Sequence, residues 1–180
     1  DVKKRSRFGV TVLKAAAMVG HLVIVTKLIE AGANVDQVDK DGETALMRAV
    51  LNGQLDIVTK LIEAGAKVDQ ANNNGVTALM AAAQNGHLGI IDGLIENNAN
   101  YNARCKGKTA KDYAKSEATS QHIQKRVNEH RYDVLIKHPK YQNNKVFNQL
   151  SICPISQGPI SYLVCTQSNG VTHKVEESEL

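Results

Sequence analysis

The sequence predicts a mainly α-helical solenoid in which similar short units stack side by side. Glycines recur every 33 residues, a threonine follows each glycine two positions later, and a second glycine lies further along each copy. Self-similarity at this period indicates structural repeats with a continuous core between neighbours. The residues concerned are Gly9, Gly42 and Gly75, then Thr11, Thr44 and Thr77, then Gly20, Gly53 and Gly86.

The second copy illustrates the local structure that the sequence of each unit predicts. Asp39 and Gly42 predict a turn, because a carboxylate accepts hydrogen bonds from nearby backbone and glycine tolerates positive φ. Thr44 suits a helix N-cap, and Gly53 suits the position just after the helix that follows. A second helix is expected over Leu55–Glu63, where apolar residues recur at helical spacing.

Neither helix of a unit is long enough to bury its apolar face alone, so we expect the stack to be the folding unit. Alanine-rich first helices, at Ala15–Ala17 and Ala81–Ala83, favour close approach of neighbouring helix pairs. A solenoid presents an extended surface rather than an enclosed pocket. The pattern therefore predicts a binding protein before it predicts an enzyme.

The units resemble the ankyrin repeat family over residues 6–131. The family's G-x-T-P-L-H-x-A-A core is matched by G-V-T-V-L-K-A-A-A, G-E-T-A-L-M-R-A-V and G-V-T-A-L-M-A-A-A, and its G-H-L-x-I-V-x-x-L-L run by G-H-L-V-I-V-T-K-L-I and two similar segments. The histidine of the family's core ties the turn together, so its absence implies less rigid turns. Its place is taken by Lys14, Met47 and Met80.

A fourth, degenerate unit follows the three repeats. The G-K-T-A-K-D-Y-A-K sequence from Gly107 resembles the first helix of a terminal unit. Ser120–Arg131 is expected to form its second helix, with Ile123 and Val127 facing inward. The predicted domains are ankyrin repeats over residues 1–131, a polar linker over 132–149 and a small C-terminal segment over 150–180.

The C-terminal segment is predicted to contain a β-hairpin. Tyr162–Gln167 and Val171–Glu176 are the expected strands, flanking a Ser-Asn-Gly turn. The C-P-I-S sequence from Cys153 resembles the start of a U-box, the metal-free relative of the RING domain in ubiquitin ligases. That resemblance implies that Pro154 and Ile155 lie near the surface that receives a ubiquitin-conjugating enzyme. The alternative is a hairpin that packs on the linker or serves dimerisation.

Three residues of this segment are of types that bind zinc. Cys153, Cys165 and His173 are spaced C-x11-C-x7-H, without the close pair that would pre-form half of a tetrahedral site. No nucleophile with an orienting base, phosphate-binding glycine loop or dinucleotide fingerprint is recognisable. We expect no catalytic residue, metal or cofactor. If the chain does belong to an enzyme, the U-box resemblance implies a ubiquitin-protein ligase.

Composition limits the setting in which the chain acts. No apolar run is long enough to predict a membrane span, and two Phe, five Tyr and no Trp leave little platform for stacking nucleic-acid bases. Three cysteines without even pairing suit a reducing compartment. We therefore expect a cytoplasmic protein, with the nucleus or a host-cell cytosol as alternatives. Residues 104–149 are strongly basic, which we interpret as a solvated cap and linker. The alternatives are contact with nucleic acid or with an anionic membrane surface.

The expected function is recognition of a protein partner through the concave groove of the repeats. The family resemblance implies that hairpin tips and the inner faces of first helices supply the contacts. Phe8 stands out because large exposed aromatic residues anchor interfaces. The alternative is that Phe8 packs against a further repeat upstream. The candidate partner-binding residues are Arg7, Phe8, Val10, Lys40, Asp41, Glu43, Asn73, Asn74 and Val76 at the tips, and Arg48, Leu51, Asn52, Gln84 and Asn85 on the inner helices.

The resemblances leave two alternative functions and one candidate modification. The repeats would select substrate if the chain is part of a U-box ubiquitin ligase, or they would bind a host protein if it is a bacterial effector. The family resemblance also implies hydroxylation of an asparagine after a second helix, where Asn102 is the candidate. Its alternative role is to hydrogen-bond nearby backbone. Asp36 and Asp69 occupy the matching positions of the earlier repeats.

Overall fold

Three pairs of short helices form the first part of the described chain. The computed structural model describes residues 6–137, 150–152, 162–167 and 172–176. The helix pairs are α1 (Val12–Val19) with α2 (Leu22–Glu30), α3 (Ala45–Leu51) with α4 (Leu55–Glu63), and α5 (Ala78–Asn85) with α6 (Leu88–Glu96). They are followed by a 3-10 helix (Lys111–Tyr113) and the long α7 (Glu117–Lys137).

The first helices begin as the sequence predicts. The hydroxyl of a threonine accepts a hydrogen bond from the backbone N–H three residues later at the start of α1, α3 and α5. This satisfies one of the N–H groups that lack a partner within the helix. The bonds run from Lys14 N to Thr11 Oγ1 (3.1 Å), from Met47 N to Thr44 Oγ1 (3.2 Å) and from Met80 N to Thr77 Oγ1 (3.4 Å).

The helices form two layers. The first helices α1, α3 and α5 pack side by side in one layer, and the second helices α2, α4 and α6 form the other. Leu46 and Leu79 of the first layer and Leu61 and Leu94 of the second are almost fully buried. Burying a leucine side chain contributes about 1.5–3 kcal/mol. The core is therefore shared between neighbouring repeats, as the spacing of the glycines predicts.

The fourth unit differs from its prediction. Its expected first helix is reduced to the 3-10 helix, because Ala114 is extended (φ −55°, ψ 134°) and ends it. Ser116 then starts α7 by accepting a hydrogen bond from Thr119 N (3.2 Å), ahead of the predicted start at Ser120. Ile123 and Val127 are buried, as expected. The helix continues to Lys137, beyond its predicted end at Arg131.

Three short strands are described in the C-terminal segment. They are β1 (Leu150–Ile152), β2 (Tyr162–Gln167) and β3 (Thr172–Glu176), which form an antiparallel sheet in chain order. Residues 168–171, which would form the predicted turn between β2 and β3, lie outside the described residues. The hairpin as a complete motif therefore stays a prediction.

Candidate protein-interaction surface

A tight turn precedes each of the first helices α1, α3 and α5. We call this turn the tip of its repeat, and one side chain holds it. Asp39 Oδ1 accepts hydrogen bonds from Asp41 N and Glu43 N, both at 3.0 Å. Ser6 and Asn72, which lie 33 residues before and after Asp39, bind their own tips in the same way. A side-chain oxygen at this position therefore fixes the turn. The sequence analysis identified Asp39 but missed its two counterparts, because their residue types differ.

Adjacent tips are hydrogen-bonded to one another. Lys40 N donates to Phe8 O (3.3 Å), Asn73 N donates to Asp41 O (3.0 Å), and the Asn73 side chain donates to Lys40 O (2.8 Å). A Cβ at Gly42 would lie 2.8 Å from Asn73 N, so only glycine permits this approach. The tips therefore form one continuous row.

The row continues into the fourth unit. The Cys105 thiol lies 3.2 Å from Asn74 O and is buried. Cys105 also pairs with Lys108 across a short turn, in which Lys106 (φ 51°) and Gly107 (φ 79°) are both left-handed. These two conformations are those of a type I′ hairpin turn. The fourth tip is therefore shorter than the others and stacks directly on the third.

The helix ends lie on the same side as the tips. Arg48, on α3, forms an ion pair with the tip residue Glu43 (Nε–Oε2 2.6 Å). Leu51 and Asn52 follow Arg48 by three and four residues and therefore share its helix face. We call the hairpin tips together with the exposed C-terminal ends of α1, α3 and α5 the inner face.

Most of the predicted partner-binding residues are exposed on this inner face. Phe8 has the largest exposed fraction among their apolar side chains, at 56%. Val10, Glu43, Arg48, Val76 and Asn85 are half-buried. The exposed ones are Arg7, Phe8, Lys40, Asp41, Leu51, Asn52, Asn73, Asn74 and Gln84.

Phe8 is flanked by cations. The Arg7 guanidinium lies 4.8 Å and the Lys40 ammonium 5.7 Å from the centroid of its ring. Both distances fall within the range of cation–π attraction, which contributes about 0.5–1 kcal/mol at exposed sites. The ring is therefore held at the first tip while more than half of its surface stays open.

A buried ion pair joins the first two repeats. Lys14 of α1 is 1% exposed, and its Nζ lies 2.9 Å from Asp39 Oδ2. The same ammonium donates to the backbone oxygen of Glu43. Burial by itself would raise the pKa of Asp39, but the hydrogen bonds from Lys14 and from Glu43 N hold it below its usual value. Lys14 thus ties the turn, contrary to the expectation of a looser one.

Two of the predicted contact residues belong to this network. Arg48 is bound to Glu43 and lies 3.9 Å from Asp39 Oδ2, and the Glu43 side chain is only 15% exposed. Removing either side chain would disturb the buried charges as well as the surface. The sequence analysis treated Glu43 and Arg48 as free surface, because it did not place Lys14 inside the protein.

The structure adds two residues to the inner face. Met18 and Val19 end α1 and are 45% and 59% exposed. They lie 33 residues before Leu51 and Asn52, which the sequence analysis selected. Aligning the first repeat on the other two would have identified them.

The remaining candidates lie away from the tips or outside the description. Asn102 is exposed, and its backbone N–H donates to Asn100 Oδ1 (3.0 Å). The side chains of Asp36 and Asp69, at the equivalent positions, accept bonds from Lys67 N (2.9 Å) and Asn100 N (2.7 Å) of the following repeat. Hydroxylation of Asn102 stays a prediction. Cys153, Pro154 and Ile155 lie outside the described residues.

No metal or membrane feature is found where the structure can be described. The side chains described there include no group of three or more His, Cys, Asp or Glu that could hold a metal ion. Among the described helices, none is long and apolar enough to cross a membrane.

Comparison with known families agrees with the helix pairs. A family model for ankyrin repeats in three copies matches residues 1–72, and a model for the single ankyrin repeat matches residues 74–106. Together these matches cover more than half of the chain, which therefore belongs to the ankyrin repeat family. A search of curated proteins found no match. Ankyrin repeats mark the chain as a protein–protein interaction module.

Proposed function

We propose that this chain binds a protein partner in the cytosol through its inner face. The observation that carries the proposal is the row of tips. Their backbones are hydrogen-bonded to one another, while the exposed side chains differ from one repeat to the next. A fixed scaffold with variable side chains is what selective recognition requires.

The scaffold favours binding because it is ordered in advance. The tips are held by Ser6, Asp39 and Asn72, and the first helices are packed against each other. Association therefore immobilises few further groups on this side of the interface, which lowers its entropic cost. Exposed side chains such as Phe8 and Leu51 supply apolar contacts.

Three exposed residues that lie outside the ion-pair network test the proposal. The full-length chain and the triple variant Phe8→Ala, Asn74→Ala, Gln84→Ala would be used to capture proteins from cytosolic extract, with quantification by mass spectrometry. A specific partner should be retained by the original chain and reduced by at least about tenfold with the variant, since one buried aromatic anchor alone contributes about 2 kcal/mol or more. The urea midpoint should change little, because all three side chains are exposed and the cation–π contacts of Phe8 contribute only about 0.5–1 kcal/mol.

The matched control changes three exposed residues away from the inner face. Lys27→Ala, Asp56→Ala and Lys67→Ala alter α2, α4 and the segment after α4. This control should retain the partner at the original level. Equal retention by both triple variants, or equal loss, would contradict the assignment of binding to the inner face.

A further inference from the structure

The exposed positions of the inner face can be compared repeat by repeat. Met18, Leu51 and Gln84 occupy one position, and Val19, Asn52 and Asn85 occupy the next. At the tips, Phe8, Asp41 and Asn74 are likewise equivalent. These residues occupy corresponding positions of the repeat, so the change in side chain along the stack changes the surface chemistry of the inner face.

The first repeat supplies the apolar part of the inner face. Phe8, Met18 and Val19 are 56%, 45% and 59% exposed. The same positions hold mainly polar residues in the second and third repeats. Leu51, 36% exposed, extends the apolar part into the second repeat. An apolar residue of a partner that covered these side chains would remove apolar surface from water, which favours binding.

Amides occupy the middle of the inner face. Asn52 and Asn85 each donate a side-chain hydrogen bond to the preceding turn of their helices, at 2.8 and 2.9 Å. Asn74 and Gln84 are exposed beside them. Primary amides both donate and accept hydrogen bonds, which suits the backbone of an extended peptide.

The fourth unit supplies the cationic part. Lys106 and Lys108 are exposed on the short fourth tip, and Arg104 donates to Gly107 O (2.8 Å) at its base. Lys115 is also exposed and lies at the end of α5, where its backbone N–H donates to Ala83 O (2.9 Å). Arg104, Lys106 and Lys108 therefore continue the row of tips, and Lys115 continues the row of helix ends on the inner face.

Acidic side chains lie mostly elsewhere. Glu30, Asp56, Glu63 and Glu96 lie on the second helices. On the tips, Asp39 is buried against Lys14, and Glu43 is bound to Arg48. Asp41 remains as an exposed acid in the middle of the row, next to Lys40. The three repeats are acidic in composition, whereas the end of the inner face that the fourth unit forms is cationic.

We infer that the partner presents an extended peptide segment with an apolar residue at one end and a cluster of acidic residues at the other. The apolar end lies over Phe8, Met18 and Val19, and the acidic end lies over Lys106, Lys108 and Lys115. This inference rests on the proposed function and specifies its partner. An acidic peptide fits better than a nucleic acid, because a polyanion of uniform charge would not use the apolar first repeat.

Selection from a random peptide library tests this inference without knowledge of the partner. The immobilised full chain would be used to enrich short peptides in physiological salt. Enriched sequences should carry Phe, Leu, Ile or Met towards one end and Asp or Glu towards the other. A library that shows no charge bias, or a basic one, would overturn the inference.

Charge reversal assigns the acidic preference to the fourth tip. The double variant Lys106→Glu, Lys108→Glu should lose the preference for acidic residues while keeping the apolar one. Affinity for an enriched peptide should fall about tenfold and should depend less on salt. The control Lys27→Glu, Lys67→Glu makes the same charge change away from the inner face and should leave the selection unchanged. An equal effect of both double variants would overturn the inference.

Two further probes exclude the other polyanions. Single-stranded DNA and phosphatidylserine vesicles should each bind more weakly than the best enriched peptide at physiological salt. Tighter binding of either, lost in the Lys106→Glu, Lys108→Glu variant, would overturn the peptide assignment. One result would separate this inference from the proposed function. If a captured protein is lost with the variant Phe8→Ala, Asn74→Ala, Gln84→Ala but is not displaced by acidic peptides, the proposed function stands and only the peptide chemistry is rejected.

Discussion

At the scale of single residues, Lys14 determines how the first turn is held. The equivalent residues of the next two repeats are Met47 and Met80, which are buried. The residue 25 positions later, at the following tip, is Asp39 for Lys14, Asn72 for Met47 and Cys105 for Met80. The junction between the first and second repeats is therefore ionic. The junction between the second and third repeats combines an apolar side chain with a neutral amide.

This difference predicts how the junction responds to substitution. Lys14→Met should lower the free energy of unfolding by about 3 kcal/mol, because it leaves the buried Asp39 carboxylate without its nearest cation. The double variant Lys14→Met, Asp39→Asn reproduces the residue pair of the second junction and should recover most of the loss. Urea unfolding of the three proteins measures both effects. A double variant no more stable than the single one would show that the ion pair is not the cause.

The same carboxylate makes stability depend on pH. The pKa of Asp39 is lower in the folded protein than its ordinary value of 3.8. Its contribution is therefore fully present above about pH 4 and is lost as the pH falls through the folded-state pKa. The original chain should lose more stability between about pH 5 and pH 3 than the Lys14→Met, Asp39→Asn variant does. Parallel pH profiles of the two proteins would contradict this assignment.

At the scale of the elements, the sequence predicts the helices that carry their own end signals. Thr44 and Gly53 bracket α3, and α4 has the predicted bounds Leu55–Glu63. The fourth unit was predicted less well, because the residues after Gly107 resemble a helix start while Ala114 is extended in the structure. A competing cap at Ser116 outweighs the family pattern there.

The end signals can be tested at Thr77. Thr77→Ala should lower the free energy of unfolding by about 1 kcal/mol, since Met80 N loses its partner and lies in a buried part of the chain. Thr59 lies within α4 on the surface, where its hydroxyl bonds only to Leu55 O of the preceding turn. Thr59→Ala should therefore be neutral or slightly stabilising. Similar losses for both variants in urea unfolding would argue against the capping role.

At the scale of the whole repeat stack, the sequence predicts which surface is presented but not how it is charged. Tips and helix ends follow directly from the 33-residue spacing. The network of Lys14, Asp39, Glu43 and Arg48 could not be predicted, because the presence of a lysine in the first turn of a helix does not indicate that it will be buried. The basic character of residues 104–149 was evident from the sequence, but composition could not show that Arg104, Lys106, Lys108 and Lys115 continue the inner face.

The shared core predicts that the repeats unfold together. Val25 of α2 and Ile91 of α6 are both fully buried, in the first and third repeats. Native-state hydrogen exchange should give these two amides similar free energies of opening, close to the global value. A markedly lower value at Val25 alone would show that the first repeat opens independently and is not part of one cooperative unit.

The central claim is that the inner face is the surface that binds the partner protein. It is tested most directly by hydrogen exchange of the full chain with and without the captured partner. The account predicts slower exchange at the tips and at the C-terminal ends of α1, α3 and α5, with α2, α4 and α6 unchanged. Protection confined to the second helices, or to residues beyond Lys137, would contradict it.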